Sequence, residues 1–318
     1  VGPEGGAKAW SAVAVGVPTA LVAWHASFYG SWIVDDAGIT FAYARSVSTG
    51  AGPVLQPGAG AVEGFSNPAW LALLVVGRWL HLFDKGTWFG TPDLVTYPKT
   101  LALLCCLGIF VGFLSIARTI SSRPILVTLA AGSITAAIPS FVIWTTSGLE
   151  NPLLALAVVT IAAVLVRACV EERLLETRTA VLCGALAALA GLTRPDGAIY
   201  LAAYPVALLV AGNSIASKPT RRALGTSVLV GAVPLLVYLV WRLATFGTWL
   251  PNTAIAKEQD LPVLSDLDKP GELVTYLGWL GFLLTAVLVV LAIQRGGKTA
   301  TGLRMLLIPL ALALVAYA

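Results

Sequence analysis

The sequence has 318 residues, 58% of them hydrophobic and only 11% charged, with a formal net charge of +4. A soluble globular domain carries roughly twice that charged fraction. Water could not dissolve this surface, so lipid must be the solvent for much of it, and no nucleic-acid partner is expected.

Apolar stretches of about 20 residues recur along the chain, each able to cross a bilayer as a helix. No β-barrel alternation appears, so helices must satisfy the backbone in lipid. Spans are predicted at about 9–28, 99–117, 124–143, 151–170, 179–193, 197–214, 223–244, 273–293 and 302–318. One further apolar segment, about 67–83, is interrupted by Arg78 and His81 and is short for a span. The expected fold is an all-α polytopic membrane protein, one transmembrane bundle over residues 1–318.

Charge sets the expected topology. With nine spans, the basic turns Arg118/Arg123, Arg167/Arg173/Arg178, Lys218/Arg221/Arg222 and Arg295/Lys298 share one face with Lys8. Cytoplasmic loops collect Lys and Arg in this way. If 67–83 also crossed, every later loop would change sides and these turns would oppose Lys8. The segment is therefore placed as an interfacial or re-entrant helix on the outer face. Asp35, Asp36, Glu63, Glu150 and Asp196 are among the acidic residues that then lie outside. The outer face carries loop 29–66, the turns 144–150 and 194–197, and loop 246–272.

Five outer segments carry candidate chemistry. In the first, Asp35 and Asp36 follow span one at a membrane boundary, where desolvation raises the cost of charge. Such a carboxylate suits a general base, or a group that holds a cation or a hydroxyl. The structural alternative is a helix N-cap ahead of an amphipathic helix over 37–49; one Asp would suffice for that. In the second, Glu63 and Asn67 follow a Gly-rich stretch and could line a polar pocket, or Ser66 or Asn67 could cap the next helix. In the third, Glu150 sits between two apolar spans, close to the bilayer; its alternative is a helix start with Pro152 in the first turn. In the fourth, Arg194 and Asp196 have almost no loop to solvate them. An ionisable pair at that depth is a functional candidate, and Arg can clamp a phosphate bidentately. The alternative is an Arg194–Asp196 pair that closes a tight turn. In the fifth, Arg242, Asn252 and Lys257 flank the outer end of a span. Snorkelling to the interface explains the cations, and so does a lipid phosphate. Together these segments describe a site for a ligand with an anionic, lipid-linked part and a hydroxylated part.

The remaining reactive residues are isolated. Cys105, Cys106, Cys169 and Cys183 all lie in apolar runs and read as packing residues. His25 and His81 stand alone, so no His-based metal site is expected.

The ordered motifs resemble a family. The run Asp35-Asp36-Ala37, Ile39-Thr40-Phe41 and Tyr43-Ala44-Arg45 resembles the first-loop signature of a GT-C glycosyltransferase family. It is followed by Val62-Glu63-Gly64, Asn67-Pro68-Ala69-Trp70, Ser147-Gly148-Leu149-Glu150, Arg194-Pro195-Asp196-Gly197 and Leu250-Pro251-Asn252-Thr253 with Ala256-Lys257. The resemblance covers about residues 30 to 260 and is greatest to the mycobacterial terminal arabinofuranosyltransferases. It implies an inverting transfer of a sugar, arabinofuranose in that family, from a polyprenyl-phosphate donor to a cell-envelope glycan or lipid acceptor. It places the active site on the extracytoplasmic face of a bacterial plasma membrane. Asp35 would be the base, with Asp36 orienting the acceptor or the base. Arg194, Arg242 and Lys257 would stabilise the donor phosphate as charge builds on it. Glu63, Asn67, Glu150, Asp196 and Asn252 would bind substrate. No cofactor is required, although the paired carboxylates could hold a divalent cation. Relatives of this kind also carry a soluble domain after the membrane core, and this chain stops before one.

Two other functions fit part of the pattern. A transporter or flippase of a lipid-linked sugar would also use intramembrane Arg and Asp, but such sites usually lie near the midplane between repeats. An inactive assembly subunit is the other, and the intact acidic motif argues against it.

Overall fold

The computed structural model describes residues 3–249 and 268–317. Helix α1 (Pro3–Ser27) leads into α2 (Asp35–Ser48) and α3 (Pro68–Trp79). A hairpin of β1 (Thr87–Trp88) and β2 (Thr91–Pro92), paired antiparallel, precedes α4 (Asp93–Ile120). Then come α5 (Pro124–Ala137), α6 (Pro139–Thr145), α7 (Asn151–Val170) and α8 (Thr177–Thr193). A 3-10 helix (Pro195–Ala202) runs into α9 (Ala203–Val210), followed by α10 (Lys218–Phe246). The chain closes with α11 (Asp268–Leu277), α12 (Trp279–Gln294) and α13 (Gly297–Tyr317).

Proline marks where these helices begin. Pro68, Pro124, Pro139, Pro152, Pro195 and Pro219 all stand in first turns, where a missing N–H leaves no bond unmade. Helix α10 has a side-chain cap as well: Ser217 Oγ accepts from Thr220 N–H at 3.3 Å.

The chain is an all-α, multi-pass membrane protein. Helices α1, α4, α7, α10 and α13 are each long and apolar enough to cross a bilayer. The predicted span 124–143 is instead a pair, α5 and α6, bent by 77° at Ile138–Pro139. The predicted span 197–214 is a 3-10 helix continued by α9. At about 2.0 Å rise per residue for the first part and 1.5 Å for the second, its sixteen residues reach about 28 Å, close to the hydrocarbon thickness. The ambiguous segment forms α3, whose 12 residues extend only about 18 Å, too short to span.

Contacts at the two ends of the bundle sort the turns. At one end Arg118 Nη2 donates to Ser11 Oγ (2.5 Å), and Thr299 Oγ1 donates to the Ile120 carbonyl (2.7 Å). Gly302 packs against Ile120 and Val166. This end holds the basic turns. At the other end His25 Nδ1 bonds the Ala136 carbonyl (2.8 Å), and Lys99 Nζ donates to the Gly30 carbonyl (2.6 Å). Here α2, α3 and the 49–67 segment fold over the spans. Arg78, read from sequence as an interruption, is buried and ion-paired to Asp84, which Arg45 also holds at 2.7 and 2.9 Å. This trio ties α2, α3 and the following loop together.

Small residues let the spans approach closely. A Cβ on Gly184 of α8 would lie 2.4 Å from the Ser227 carbonyl of α10, with Gly231 beside it. Helix association in lipid relies on such close contact. Gly184→Ala is expected to destabilise the protein by about 1–3 kcal/mol, because backbone rather than a flexible side chain must move. Thermal unfolding in detergent measures this, and an unchanged midpoint would refute the close contact.

Candidate active site

The acidic pair opens α2. Val34 occupies the N-cap position with extended backbone, and no side chain caps this helix. The capping role weighed for Asp35 or Asp36 is therefore corrected: they are the first two helical residues. Both are exposed, and the positive end of the helix dipole favours their charge. Their place is set by the chain on either side. Val34 N–H donates to the Ser147 carbonyl at 2.9 Å, and Ala37 is buried against Gly148. Gly148 has φ +92, a left-handed backbone that suits glycine alone. Trp70 Nε1 donates to the Gly148 carbonyl at 3.0 Å and pins the same turn. The acidic pair thus hangs beside the turn that ends in Glu150.

Glu150 is the hub of a polar cluster. Its carboxylate is buried, and Oε2 accepts from Asn67 Nδ2 at 2.6 Å. Asn67 is itself paired with Thr40 Oγ1 at 3.3 Å, and Thr40 lies one helical turn beyond Asp36 on the same face. Arg194 Nη1 stands 3.6 Å from Glu150 Oε1 and donates to Asn151 Oδ1 at 3.2 Å. Arg194 Nε donates to Asp196 Oδ1 at 3.1 Å. The local Arg194–Asp196 pair and the long-range cluster therefore coexist. Arg194 keeps 38% of its side chain exposed, and its Nη2 makes no hydrogen bond among the described residues. Gly197 makes the close turn work: a Cβ there would sit 2.2 Å from the Ala190 carbonyl.

A second cluster is centred on Glu63. Glu63 is 1% exposed; its Oε2 accepts from Arg242 Nε at 2.7 Å and its Oε1 from Tyr238 OH at 3.0 Å. Burial pushes the Glu63 carboxyl above the usual carboxylate range, while Arg242 and Tyr238 pull it back. Tyr43 OH donates to the Val62 carbonyl and accepts from Gly64 N–H at 3.0 Å, so α2 grips the segment by its backbone. Two expectations change here. Arg242 does not snorkel to an interface, because its head group is buried against Glu63. Glu63 and Arg242 also face each other rather than standing open to a sugar and a phosphate separately. Arg242 Nη2 and Thr248 Oγ1 are buried without a hydrogen-bond partner among the described residues.

Asn252 and Lys257 lie outside the described residues. Of the others, the structure brings Asn67, Glu150, Arg194 and Asp196 into one cluster, joins Glu63 to Arg242 in a second, and sets Asp35 and Asp36 on the helix that touches both. Thr40, Tyr43, Asn151 and Tyr238 are members that sequence reasoning missed. Tyr238 precedes Arg242 by four residues, a same-face spacing that marks it in hindsight. Among the described residues no three His, Cys, Asp or Glu side chains gather as metal ligands would.

These features define a class: a multi-pass helical membrane protein with buried acidic and basic groups at the end opposite its basic turns. The chain is similar to the terminal β-(1→2)-arabinofuranosyltransferase of Mycobacterium tuberculosis (strain ATCC 25618 / H37Rv), with 29% identity over 241 residues. The match covers 73% of this chain and 36% of that enzyme, so the chain spans well under half the length of its relative. No protein-family profile matches the chain, and no solved structure matches it.

Proposed function

We propose that the chain acts as an inverting membrane glycosyltransferase of GT-C type, using a polyprenyl-phosphate sugar on the extracytoplasmic face of a bacterial plasma membrane. The observation that carries the reading is the cluster Thr40–Asn67–Glu150–Arg194, built from four separate segments beside the acidic pair. Sugar hydroxyls and a lipid-linked phosphate need this mixture of buried acceptors and a partly open cation.

In the proposed reaction Asp35 takes the proton of an acceptor hydroxyl. The acceptor oxygen bonds to the anomeric carbon from the side opposite the phosphate. The carbon–oxygen bond to phosphate breaks, its electron pair stays on the phosphate oxygen, and polyprenyl phosphate leaves. The proton on Asp35 then passes to water. Arg194, through its Nη2, which has no partner among the described residues, meets the developing charge; Lys257 is a second cation for the same phosphate, and Arg242 would reach it only if its guanidinium turns partly away from Glu63. Glu150, Asn67 and Asp196 fix the Arg194 fork and sugar hydroxyls, Asn252 adds a further substrate contact, and Asp36 orients the acceptor. A divalent cation on the acidic pair is compatible with this scheme. The acceptor is a cell-envelope glycan or lipid, and arabinofuranose is the first sugar to test, because the relative's name specifies it.

Arg194→Ala tests the phosphate assignment. A hydrogen bond to a charged group contributes about 1.5–3 kcal/mol, so donor Kd should rise about 10- to 100-fold with little change for the acceptor. Equal weakening of both would remove Arg194 from the phosphate.

A further inference from the structure

A second concave feature lies far from these clusters, at the end of the bundle that holds the basic turns. A groove of about 320 Å³ runs between α9 and α13, within the range of small-ligand sites. Val206 and Val210 of α9 and Leu307, Ala311 and Leu312 of α13 form apolar walls, and among the described residues Arg304 is the one charged residue in the lining. Arg304 is exposed, and none of the ion pairs among the described residues involves it. It lies seven residues into α13, about 10 Å along the axis from the helix start. From Arg304 to Leu312 the groove extends about 12 Å further into the bundle. Val210, the last residue of α9, marks the same basic end, just before the turn into Lys218, Arg221 and Arg222. The groove is thus a lipid-depth slot with a cation at its mouth.

Another cleft at this end, of about 150 Å³, makes a useful contrast. Its lining includes Arg167, Glu171, Arg173 and Glu176, whose charges pair with each other at 2.8–3.2 Å, and Arg178, which makes no ion pair among the described residues. Its two acids are already held by cations. Among the described residues the α9–α13 groove has a lone cation and no acid in its lining, so its charge calls for an anion and its walls call for hydrocarbon. A lone ammonium or guanidinium on an apolar helix face meets the head-group region by snorkelling. A groove beneath it then seats a chain.

We propose that the α9–α13 groove binds an anionic glycerophospholipid of the leaflet on the side of the basic turns, with its phosphate on Arg304 and an acyl chain along Val206, Ala311 and Leu312. The site is independent of the transferase reading and involves none of its residues. The bound lipid would fill the seam that joins α13 to the 3-10 helix and α9.

Native mass spectrometry of the purified chain from zwitterionic phosphatidylcholine nanodiscs tests this, with three probes added in turn. Phosphatidylglycerol is expected to be retained. Diacylglycerol, which has the tails alone, and glycerol phosphate, which has the phosphate alone, are expected to be lost. Arg304→Gln should weaken phosphatidylglycerol retention about five-fold, and Arg304→Lys should keep most of it. Ala311→Trp fills the slot with the cation intact and should also lower retention, which keeps the test open if Arg304→Gln fails to fold. Undiminished retention in Arg304→Gln or in Ala311→Trp, or equal retention of diacylglycerol or of glycerol phosphate, would overturn the proposal.

Discussion

Asp35→Asn is expected to lower sugar transfer by about 10²- to 10⁴-fold, the range that a positioned general base contributes. The substitution keeps the shape of the side chain and removes only its ability to take a proton. Its structural cost is small, because Asp35 is exposed and caps nothing. Loss of one favourable charge at a helix N-terminus amounts to about 0.3–1 kcal/mol. Donor binding should survive, since the cations assigned to the phosphate lie on other segments. Asp36→Asn, one residue on, should chiefly raise the acceptor KM. Initial rates with purified variants, alongside thermal midpoints, separate these effects. Near-normal transfer by Asp35→Asn would take Asp35 out of the base role.

The largest stability effect is expected at Glu63 and Arg242. The pair is buried, and removing one partner leaves the other charge with no counter-ion. Glu63→Ala and Arg242→Ala should each cost about 3–5 kcal/mol. Replacing both by apolar residues, Glu63→Leu with Arg242→Met, should cost much less than the sum, because no lone charge remains buried. Tyr238→Phe removes one hydrogen bond to Glu63 and should cost about 1 kcal/mol. Reversible unfolding in detergent measures all four. If the double variant is as unstable as the sum of the singles, the two residues are not coupled as drawn.

Much of the frame was legible in the sequence because membrane spans obey local rules. The apolar runs around α1, α4, α7, α10 and α13 are visible as hydropathy, and the basic turns reveal which ends lie together. Arg78 and His81 interrupt the apolar run at α3, and the helix that forms there has 12 residues. The deviations also have local causes, seen only afterwards. Pro139 turned one predicted span into a bent pair, and the 3-10 start at Pro195 stretched a short segment across nearly the full thickness.

The site was legible as a set of segments and not as a set of pairs. Arg194 and Asp196 are two residues apart, so their bond could be anticipated. Glu63 and Arg242 are 179 residues apart, and no periodicity links them. The sequence placed each near the same membrane depth, and from depth alone each could have faced substrate. Geometry shows instead that each satisfies most of the other's charge. Likewise Tyr43 read as one more residue of an amphipathic helix, yet its hydroxyl holds both sides of Glu63 through the backbone.

One assay bears most directly on the function: purified protein in liposomes, given radiolabelled polyprenyl-phosphate sugars, a panel of nucleotide sugars, and a cell-envelope glycan acceptor. Label should move to the acceptor from a polyprenyl-phosphate sugar, with inverted anomeric configuration, and not from any nucleotide sugar. Transfer from a nucleotide sugar at the same rate, or a product of retained configuration, would contradict the account.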